Sequence, residues 1–565
     1  MTNTIVIAPL LVALGTAILT LLTRFDGRVE RAVSLLGGAA YLVAVAALFN
    51  RIVLEPANPA AVPYYVSNWP APFGITLVAD ALSAFMLGVA GLVALPALVY
   101  ATVYIDEVGQ RLSFHPLFHF MLVGVSGAFL TGDVFNLFVW FEVMLMSSYV
   151  LVLFYSGPTH TRAALTYVVL NLVGSAVMLV AIGGLYATTG TLNMADMAVR
   201  LAHPAAYDVE LAPTLGLGAL LLAVFALKAG VVPFHFWVPS AYRAAPAPVT
   251  AVLAGVVKKV GVYAVIRLFF TVFGGAAYAD ASTFGYLAPV LFVMATASIV
   301  YGGVGAVGRE DVDGLLAFSS IGQVGFIVLP LSVAMAAPTA STAFFGGSTL
   351  AVLGVAAALV YAFNHAVAKS LLFLVSGAIY TAVGTTEFDR LGGLARRAPL
   401  LAAAFLLGAL SLVGLPPLVG FFGKLLVFRV ATEATAAGVA GALAPAALAV
   451  ALVGAVLTIA YVTRAWNAVF WGEPSDTVDA VLPARWAGGG GAAATDGGSV
   501  AAPRRALAVQ VTVVVALALC LVGFGVGVEF VVDAAGHAAR AATDTAGYVD
   551  AVDPSLPAAG DGGGH

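Results

Sequence analysis

Long apolar runs separated by short polar stretches recur along the whole 565-residue chain. Each run is close to the roughly 20 residues that a helix needs to cross a bilayer. The pattern therefore predicts an all-α polytopic membrane protein with about fourteen transmembrane helices. The predicted spans are about 4–23, 32–50, 78–104, 114–131, 133–155, 163–187, 214–240, 247–271, 283–306, 314–335, 345–381, 400–429, 444–470 and 507–532.

Two of the predicted spans are interrupted by proline. One contains LKAGVVPF around Lys228, and the other contains GLPPLVGFFGK, in which Pro416 and Pro417 precede Lys424. Proline removes a backbone hydrogen bond, and lipid cannot satisfy the freed groups, so each break must face protein or a polar cavity. Interrupted helices in two corresponding halves predict a transport site in a repeat-built transporter. The repeats cover about 114–271 and 283–470.

The remaining segments flank these halves. Residues 1–113 carry three N-terminal transmembrane helices, and 507–532 form a last one. Residues 471–506 contain Gly488–Gly491 and are predicted to be a flexible linker. Residues 533–565 are rich in Ala, Gly and Asp, so we expect a disordered acidic tail.

Composition narrows the class of protein. The chain is 62% hydrophobic and 9% charged, with a mean hydropathy of +1.04. A net charge of −4 over this length argues against a nucleic-acid partner. The hydrophobic composition instead indicates that the lipid bilayer surrounds the chain. Cys520 is the single cysteine, which excludes a disulfide framework, a Cys-rich metal site and an iron–sulfur cluster. We therefore expect no metal and no cofactor in this chain.

The arginines predict the orientation in the membrane. With the N-terminus outside, fourteen arginines fall on the cytoplasmic side and five on the external side. Excess positive charge in cytoplasmic loops predicts external N- and C-termini in the cell membrane. The cytoplasmic set is Arg24, Arg28, Arg31, Arg111, Arg162, Arg243, Arg309, Arg390, Arg396, Arg397, Arg464, Arg485, Arg504 and Arg505, and the external set is Arg51, Arg200, Arg267, Arg429 and Arg540.

The lysines are placed differently, because all five lie inside or against apolar stretches. An ammonium group inside a bilayer costs roughly 2.5–3.5 kcal/mol, and such residues usually mark ion or proton paths. Glu142, in NLFVWFEVMLMSSY, is the clearest acidic residue at mid-span depth, and Lys228 is its expected partner. A span-end glutamate is the alternative interpretation of Glu142.

The other lysines extend this set. Lys258 and Lys259 are adjacent on a helix and point about 100° apart, so we expect only one to face a given path. His365 and Lys369 are four residues apart and share a helix face, where an imidazole suits proton relay. Lys424 would end the row.

Further polar residues are weaker candidates. Asp133, in LTGDVFN, is predicted to cap a helix start, and His235 follows the first break. Asp80 fits either a cap or a channel mouth. His115 and His119 have metal-ligand spacing, but a proline lies between them and no third ligand is near, so we reject a metal site.

Several long motifs carry a family resemblance over about 68–430. NWPAPFGITLVADALSAFML, HPLFHFMLVGVSGAFLTGDVFNLFVWFEVMLMSSYVLV, KAGVVPFHFWVPSAYRAAPAPVTAVLAGVVKKVGVYAVIR, NHAVAKSLLFLVSG and GLARRAPLLAAAFLLGALSLVGLPPLVGFFGKLLVF resemble the D subunit of Mrp-type Na⁺/H⁺ antiporters. The wider family includes the proton-pumping subunits of respiratory complex I and of membrane-bound hydrogenases.

The resemblance implies fourteen helices with two inverted five-helix antiporter-like repeats and a proton path along the membrane midplane. It places the essential glutamate at Glu142 and the first broken-helix lysine at Lys228. By the KVGVYAVIR context, the lysine of the next helix falls on Lys259, which leaves Lys258 as an additional candidate. The central helix supplies His365 and Lys369, and the second broken helix supplies Lys424.

Our leading hypothesis is a proton-translocating subunit of a multisubunit Na⁺/H⁺ antiporter, with other subunits of that complex as partners. The alternative is a pump subunit of a complex I-like or hydrogenase-type redox enzyme, whose redox chemistry belongs to its partners. An unrelated solute transporter is a third hypothesis. In all three the chain moves ions or a solute across the membrane without covalent catalysis, so we expect a transporter subunit and not an enzyme.

Overall fold

The computed structural model describes residues 3–55, 61–155, 157–274, 285–482 and 501–556. Within these ranges, thirteen helices are long and apolar enough to cross a membrane. The predicted all-α polytopic class is confirmed. The first half contains α1 Thr4–Thr23, α2 Gly27–Phe49, α3 Ala81–Tyr104, α4 Glu107–Gly109, α5 His115–Leu130, α6 Val134–Val152, α7 Pro158–Thr189, α8 Met194–Ala202, α9 Leu211–Ala229, α10 Trp237–Ala244, α11 Ala247–Val252 and α12 Lys258–Ile266.

The second half of the chain contains the remaining helices. Its helices are α13 Leu287–Val307, α14 Val312–Ala336, α15 Leu350–Val383, α16 Leu394–Arg397, α17 Pro399–Val413, α18 Val419–Ala436, α19 Leu443–Val469, α20 Asp476–Val481, α21 Ala501–Val526, α22 Val528–Thr543 and α23 Thr545–Val552. The pair α17 and α18 replaces the single span predicted at 400–429, since Gly414 ends α17 in a left-handed conformation. As one interrupted crossing, the pair completes the predicted fourteen.

The two repeats, 114–271 and 283–470, share their order of elements. Each repeat has five crossings, and the fourth is interrupted, at α9–α10 in the first repeat and at α17–α18 in the second. Asp133 caps α6 and forms an isolated bridge with Asn193, and Asp311 caps α14 and forms one with Glu387. Because each repeat has an odd number of crossings, the second enters the membrane from the opposite side, as the predicted inverted repeats require.

Two membrane crossings form the centre of the fold. Every residue of α15 from Leu350 to Ile379 is buried, and so is the segment 248–273, which joins α11 and α12 through a π-helical turn, Leu253–Val257. Neighbouring helices therefore cover these two crossings on all sides and separate them from lipid. Any charged side chain on these two crossings is therefore enclosed by protein.

The end of the chain differs from the sequence-based expectation. The prediction of a disordered tail at 533–565 is wrong for 533–552, because these residues lie in α22 and α23. The residues after 556 lie outside the described ranges. Helix α22 packs on α15 and α3, whereas α23 packs on α8 and on β1 Ala61–Tyr65, which pairs with β2 Thr76–Asp80 in a small antiparallel hairpin. The hydroxyl of Tyr65 donates to the carbonyl of Val552 at 2.6 Å.

The predicted linker at 471–506 is shorter than expected where it is described. Helix α20 lies inside it, and α21 begins at Ala501, six residues before the predicted last span. The glycine run Gly488–Gly491 lies outside the described residues.

Candidate functional site

All five lysines are buried inside the helical bundle, none more than 4% exposed. They lie on four crossings, α9, α12, α15 and α18, and these include both interrupted crossings and both central ones. A buried ammonium group needs hydrogen-bond acceptors or an opposite charge to offset its lost hydration. The acceptors that each lysine finds define the site.

Glu142 and Lys228 meet through a serine. The Nζ of Lys228 lies 4.0 Å from Oε1 of Glu142, and it donates at 2.8 Å to the hydroxyl of Ser175. That hydroxyl donates in turn to the same carboxylate oxygen. The carbonyl of Asn171 accepts a further bond from Lys228 at 3.3 Å. The expected pairing of acid and lysine is confirmed, and Ser175 on α7 is a link that sequence reasoning missed.

The break after α9 places Lys228 at the end of a helix. Gly230 adopts a left-handed conformation with φ of 69°, which ends the helix two residues after the lysine. The indole of Trp237 donates to the carbonyl of Leu227 at 2.8 Å, so the broken turn keeps its hydrogen bonds inside protein. A Cβ at Gly261 would lie 2.6 Å from the backbone nitrogen of Ala229, so α12 passes directly against the break.

Both Lys258 and Lys259 reach the surroundings of His365, which differs from the expectation that one would face away. Lys259 Nζ lies 2.6 Å from Nδ1 of His365. Lys258 Nζ donates to the hydroxyl of Ser320 at 3.2 Å, and that hydroxyl lies 3.3 Å from Nε2 of the same imidazole. The one histidine ring is therefore linked to one lysine directly and to the other through a serine.

A π-helical turn lies directly before these two lysines. The backbone N–H of Lys258 bonds to the carbonyl of Leu253, five residues earlier, instead of the usual four. The ammonium group of Lys259 donates a hydrogen bond to the carbonyl of Ala254, which lies within the widened turn. The extra residue in the turn rotates both side chains together around the helix axis and leaves them about 100° apart. Lys259 therefore meets the imidazole directly, and Lys258 reaches it because Ser320 lies between them.

Lys369 lies one turn from His365 on α15, as the four-residue spacing predicts. Its Nζ donates to the hydroxyl of Ser319 at 2.5 Å and to the carbonyl of Leu316 at 2.9 Å. Ser319 and Ser320 therefore serve neighbouring members of the row from one turn of α14.

A neutral polar cluster lies between the imidazole and Lys424. The amide of Gln323 donates to the hydroxyl of Tyr461 at 2.6 Å and accepts a bond from the hydroxyl of Tyr361, one turn before His365. Lys424 donates to the carbonyl of Val413 at 3.0 Å, where α17 ends, and lies 4.9 Å from the centre of the Phe326 ring. The second break thus supplies a carbonyl acceptor, as expected for an interrupted membrane helix.

The weaker candidates lie off this row. Asp133 caps α6, accepting from the backbone N–H of Asn136 at 2.7 Å, and burial raises the pKa of its carboxyl. His235 is buried against the ring of Tyr301, with centroids 4.5 Å apart, and no hydrogen bond joins it to the row in the described ranges. His115 and His119 both contact the hydroxyl of Ser34, at 2.9 and 3.0 Å.

Fold and site together define a polytopic helical membrane protein with a buried row of carboxylate, ammonium and imidazole groups, the arrangement found along ion and proton paths in membranes. Residues 131–448 match the family described as NADH:quinone oxidoreductase/Mrp antiporter, TM, and the chain belongs to this family. The resemblance found from the sequence motifs is confirmed.

Two curated relatives show the range of the family. The D subunit of the Na(+)/H(+) antiporter of Alkalihalophilus pseudofirmus is 36% identical over 413 residues, covering 73% of this chain and 76% of that protein. The N subunit of the NADH-quinone oxidoreductase of Desulforudis audaxviator is 36% identical over 428 residues, covering 74% of this chain and 78% of that protein.

The fold also matches a solved structure along almost its entire length. A chain in the structure of the Mrp complex from Dietzia sp. superposes with a TM-score of 0.81 at 29% identity. The superposition covers 98% of this chain and 100% of that chain. The predicted multi-pass membrane architecture is therefore that of an Mrp-type subunit.

Proposed function

We propose that this chain is a proton-translocating subunit of a multisubunit Na⁺/H⁺ antiporter. The observation that carries the proposal is the contact of Glu142, Ser175 and Lys228 at one end of a row that continues to Lys424. The antiporter name of the Alkalihalophilus relative and the Mrp complex from Dietzia sp. support the substrate and the partner subunits.

In this proposal the row works by exchange of protons between adjacent groups. A proton on Glu142 removes the negative charge beside Lys228, which weakens the hold on the ammonium proton. Lys259, His365 and Lys369 then pass charge through direct contact and through the serines of α14. Each step moves a proton between nitrogen and oxygen atoms, with no covalent intermediate, so the chain acts as a transporter subunit and not as an enzyme.

We further propose a cell-membrane location with both termini outside. The hairpin strand β1 and α8 both contact the last helix, α23, and so share one side of the membrane with it. The arginine distribution makes that side external, because most arginines fall in the opposite loops.

The test uses vesicles that contain the whole complex. Glu142→Ala and Lys228→Ala are each expected to abolish Na⁺-dependent proton exchange. Glu310 is an exposed carboxylate away from the row, so Glu310→Gln is expected to leave the exchange unchanged. Full exchange in both row variants, with normal assembly, would contradict the assigned roles.

The Desulforudis relative favours a second candidate, a pump subunit of a redox-driven complex. With one cysteine, this chain would leave iron–sulfur chemistry to its partners. Purification of the native complex separates the two functions. Copurified iron–sulfur subunits favour the redox pump, and small membrane proteins alone favour the antiporter.

A further inference from the structure

A polar cavity lies at the end of the bundle that carries the loops after α10 and before α14. Its volume is about 680 Å³, and Tyr242, Arg243, Asp313, Ser376 and Tyr380 are among its lining residues. A second cavity, of about 350 Å³, shares Arg243, Asp313 and Tyr380 with the first. Spaces of this size hold on the order of ten or more water molecules when polar groups line them.

Asp313 is the carboxylate that both cavities share. It lies in the first turn of α14, where Ser376 donates to one carboxylate oxygen at 2.6 Å and Thr386 donates to the other at 3.2 Å. It forms no ion pair with any described residue, whereas Asp311 pairs with the exposed Arg243 at 3.2 Å. A half-buried carboxylate held by two hydroxyls and open to a water-sized space can take up and release a proton.

Two short routes lead from this carboxylate to the lysines. Tyr242 lines the cavity, and the centre of its ring lies 5.8 Å from Nζ of Lys258. Along α14, Leu316 and Ser319 follow Asp313 by three and six residues, about 4.5 and 9 Å of helix rise. Both are hydrogen-bond partners of Lys369.

We propose that these joined cavities, which we call the vestibule, load protons into the lysine row, and that Asp313 is the loading acid. A hydronium ion in the vestibule gives its proton to a carboxylate oxygen of Asp313. The carboxylic acid then gives the proton, through water, to the neutral amine of Lys258 or Lys369, which leaves an ammonium group and restores the carboxylate. The role of Asp313 rests on the proposed function, whereas access of water to the vestibule does not.

The first experiment measures Na⁺-dependent proton exchange by the whole complex in vesicles. Asp313→Asn keeps the size of the side chain and an acceptor oxygen but cannot carry a proton. We expect the exchange rate to fall on the order of 10²-fold, the lower end of the effect of a positioned acid or base. Asp313→Glu should restore most of the rate, and the matched control Glu310→Gln should leave it unchanged.

Equal rates for Asp313→Asn and Glu310→Gln would overturn the loading role. If the wild-type complex exchanges no cation for protons, the proposed function fails instead. If Asp313→Asn and Asp313→Glu are both slow, Asp313 acts by holding α14 against α15 through its hydrogen bond with Ser376. That result would also overturn the loading role.

The second experiment tests the vestibule without any transport assay. In the whole complex with Cys520→Ser, Thr381→Cys places a thiol in the vestibule wall, and Val375→Cys places one in the packed interior of the same helix. A membrane-impermeant thiol reagent supplied at both faces of the membrane should label the first position many times faster. Equal labelling of the two positions would show that water does not enter the vestibule.

Discussion

The buried ion pair between Asp80 and Arg267 gives the sharpest prediction on stability. The two groups lie 2.7 Å apart, and each side chain is 1% exposed. Asp80 also caps α3, accepting from the backbone N–H of Ser83 at 2.8 Å. The ring of Tyr548, on α23, lies 5.0 Å from the guanidinium carbon and covers the pair. The pair thus connects α3, the end of the α12 crossing and the C-terminal helices.

Asp80→Asn removes the negative charge and keeps an oxygen that can cap the helix. At 2.7 Å and an effective dielectric constant of about 20, the lost attraction is about 6 kcal/mol. The new amide keeps part of the hydrogen bonding, so the net loss should be about 3–5 kcal/mol, the range for a buried pair with one partner removed. The uncompensated charge of Arg267 is the main cause of that loss.

Reversible unfolding of the complex in mixed micelles with SDS measures the free energy. Asp26→Asn is the matched control, because Asp26 caps α2 from an exposed position, and its loss of charge should change the free energy by less than about 0.5 kcal/mol. Asp80→Asn combined with Arg267→Met should be more stable than the sum of the two single changes, since neither charge remains unpaired. A loss in Asp80→Asn as small as in the control would refute the reasoning.

Three further predictions concern the row and its supports. Ser175→Ala should reduce Na⁺-dependent proton exchange in vesicles while subunit assembly, measured by copurification, stays normal; unchanged exchange would show that the hydroxyl link is dispensable. Lys258→Met and Lys259→Met should each lower the same rate, because both lysines reach His365, and an effect confined to Lys259 would favour the sequence-based expectation. Gly261→Leu should lower the yield of folded protein on size-exclusion chromatography, whereas Gly216→Leu, which has open space around its Cβ, should not.

The membrane spans and the lysine positions were predictable because the bilayer leaves little choice. Charged groups are so costly in lipid that each buried lysine stands out in an apolar run. The four-residue spacing of His365 and Lys369 also transfers directly to the structure, because α15 is a continuous helix with no π-helical turn. Residue spacing in the sequence therefore predicts which side chains share a face wherever the helix is a regular α-helix.

The serines and the π-helical turn were not predictable in the same way. Ser175, Ser319 and Ser320 resemble many other serines in membrane helices, and only the crossing of helices shows which of them meets a lysine. The π-helical turn at Leu253–Val257 depends on packing around α12 and leaves no periodic mark in the sequence. Of these features, Ser320 and the π-helical turn supply the hydrogen-bond acceptors of Lys258 and Lys259.

The C-terminal helices carried a signal that composition concealed. Alanine and glycine lowered the apparent hydrophobicity of 533–552, which resembled a disordered tail. Yet Val531, Ala535, Ala538 and Ala542 recur at helical spacing, and all four are buried in α22. Small residues permit the close packing of this helix, so the spacing of the buried positions was more informative than their size.

The inverted halves use the same framework for different chemistry. Glu142 stands nine residues after the capping Asp133, and Ser320 stands nine residues after the capping Asp311. In the first half that position holds a carboxylate beside one lysine. In the second half it holds a hydroxyl between Lys258 and His365, so the positive groups there have no acidic neighbour at the corresponding place. The only acid along the described part of α14 is Asp313. Because the described part of the second half has no acid beside its lysines, it depends in our proposal on protons that enter from the vestibule.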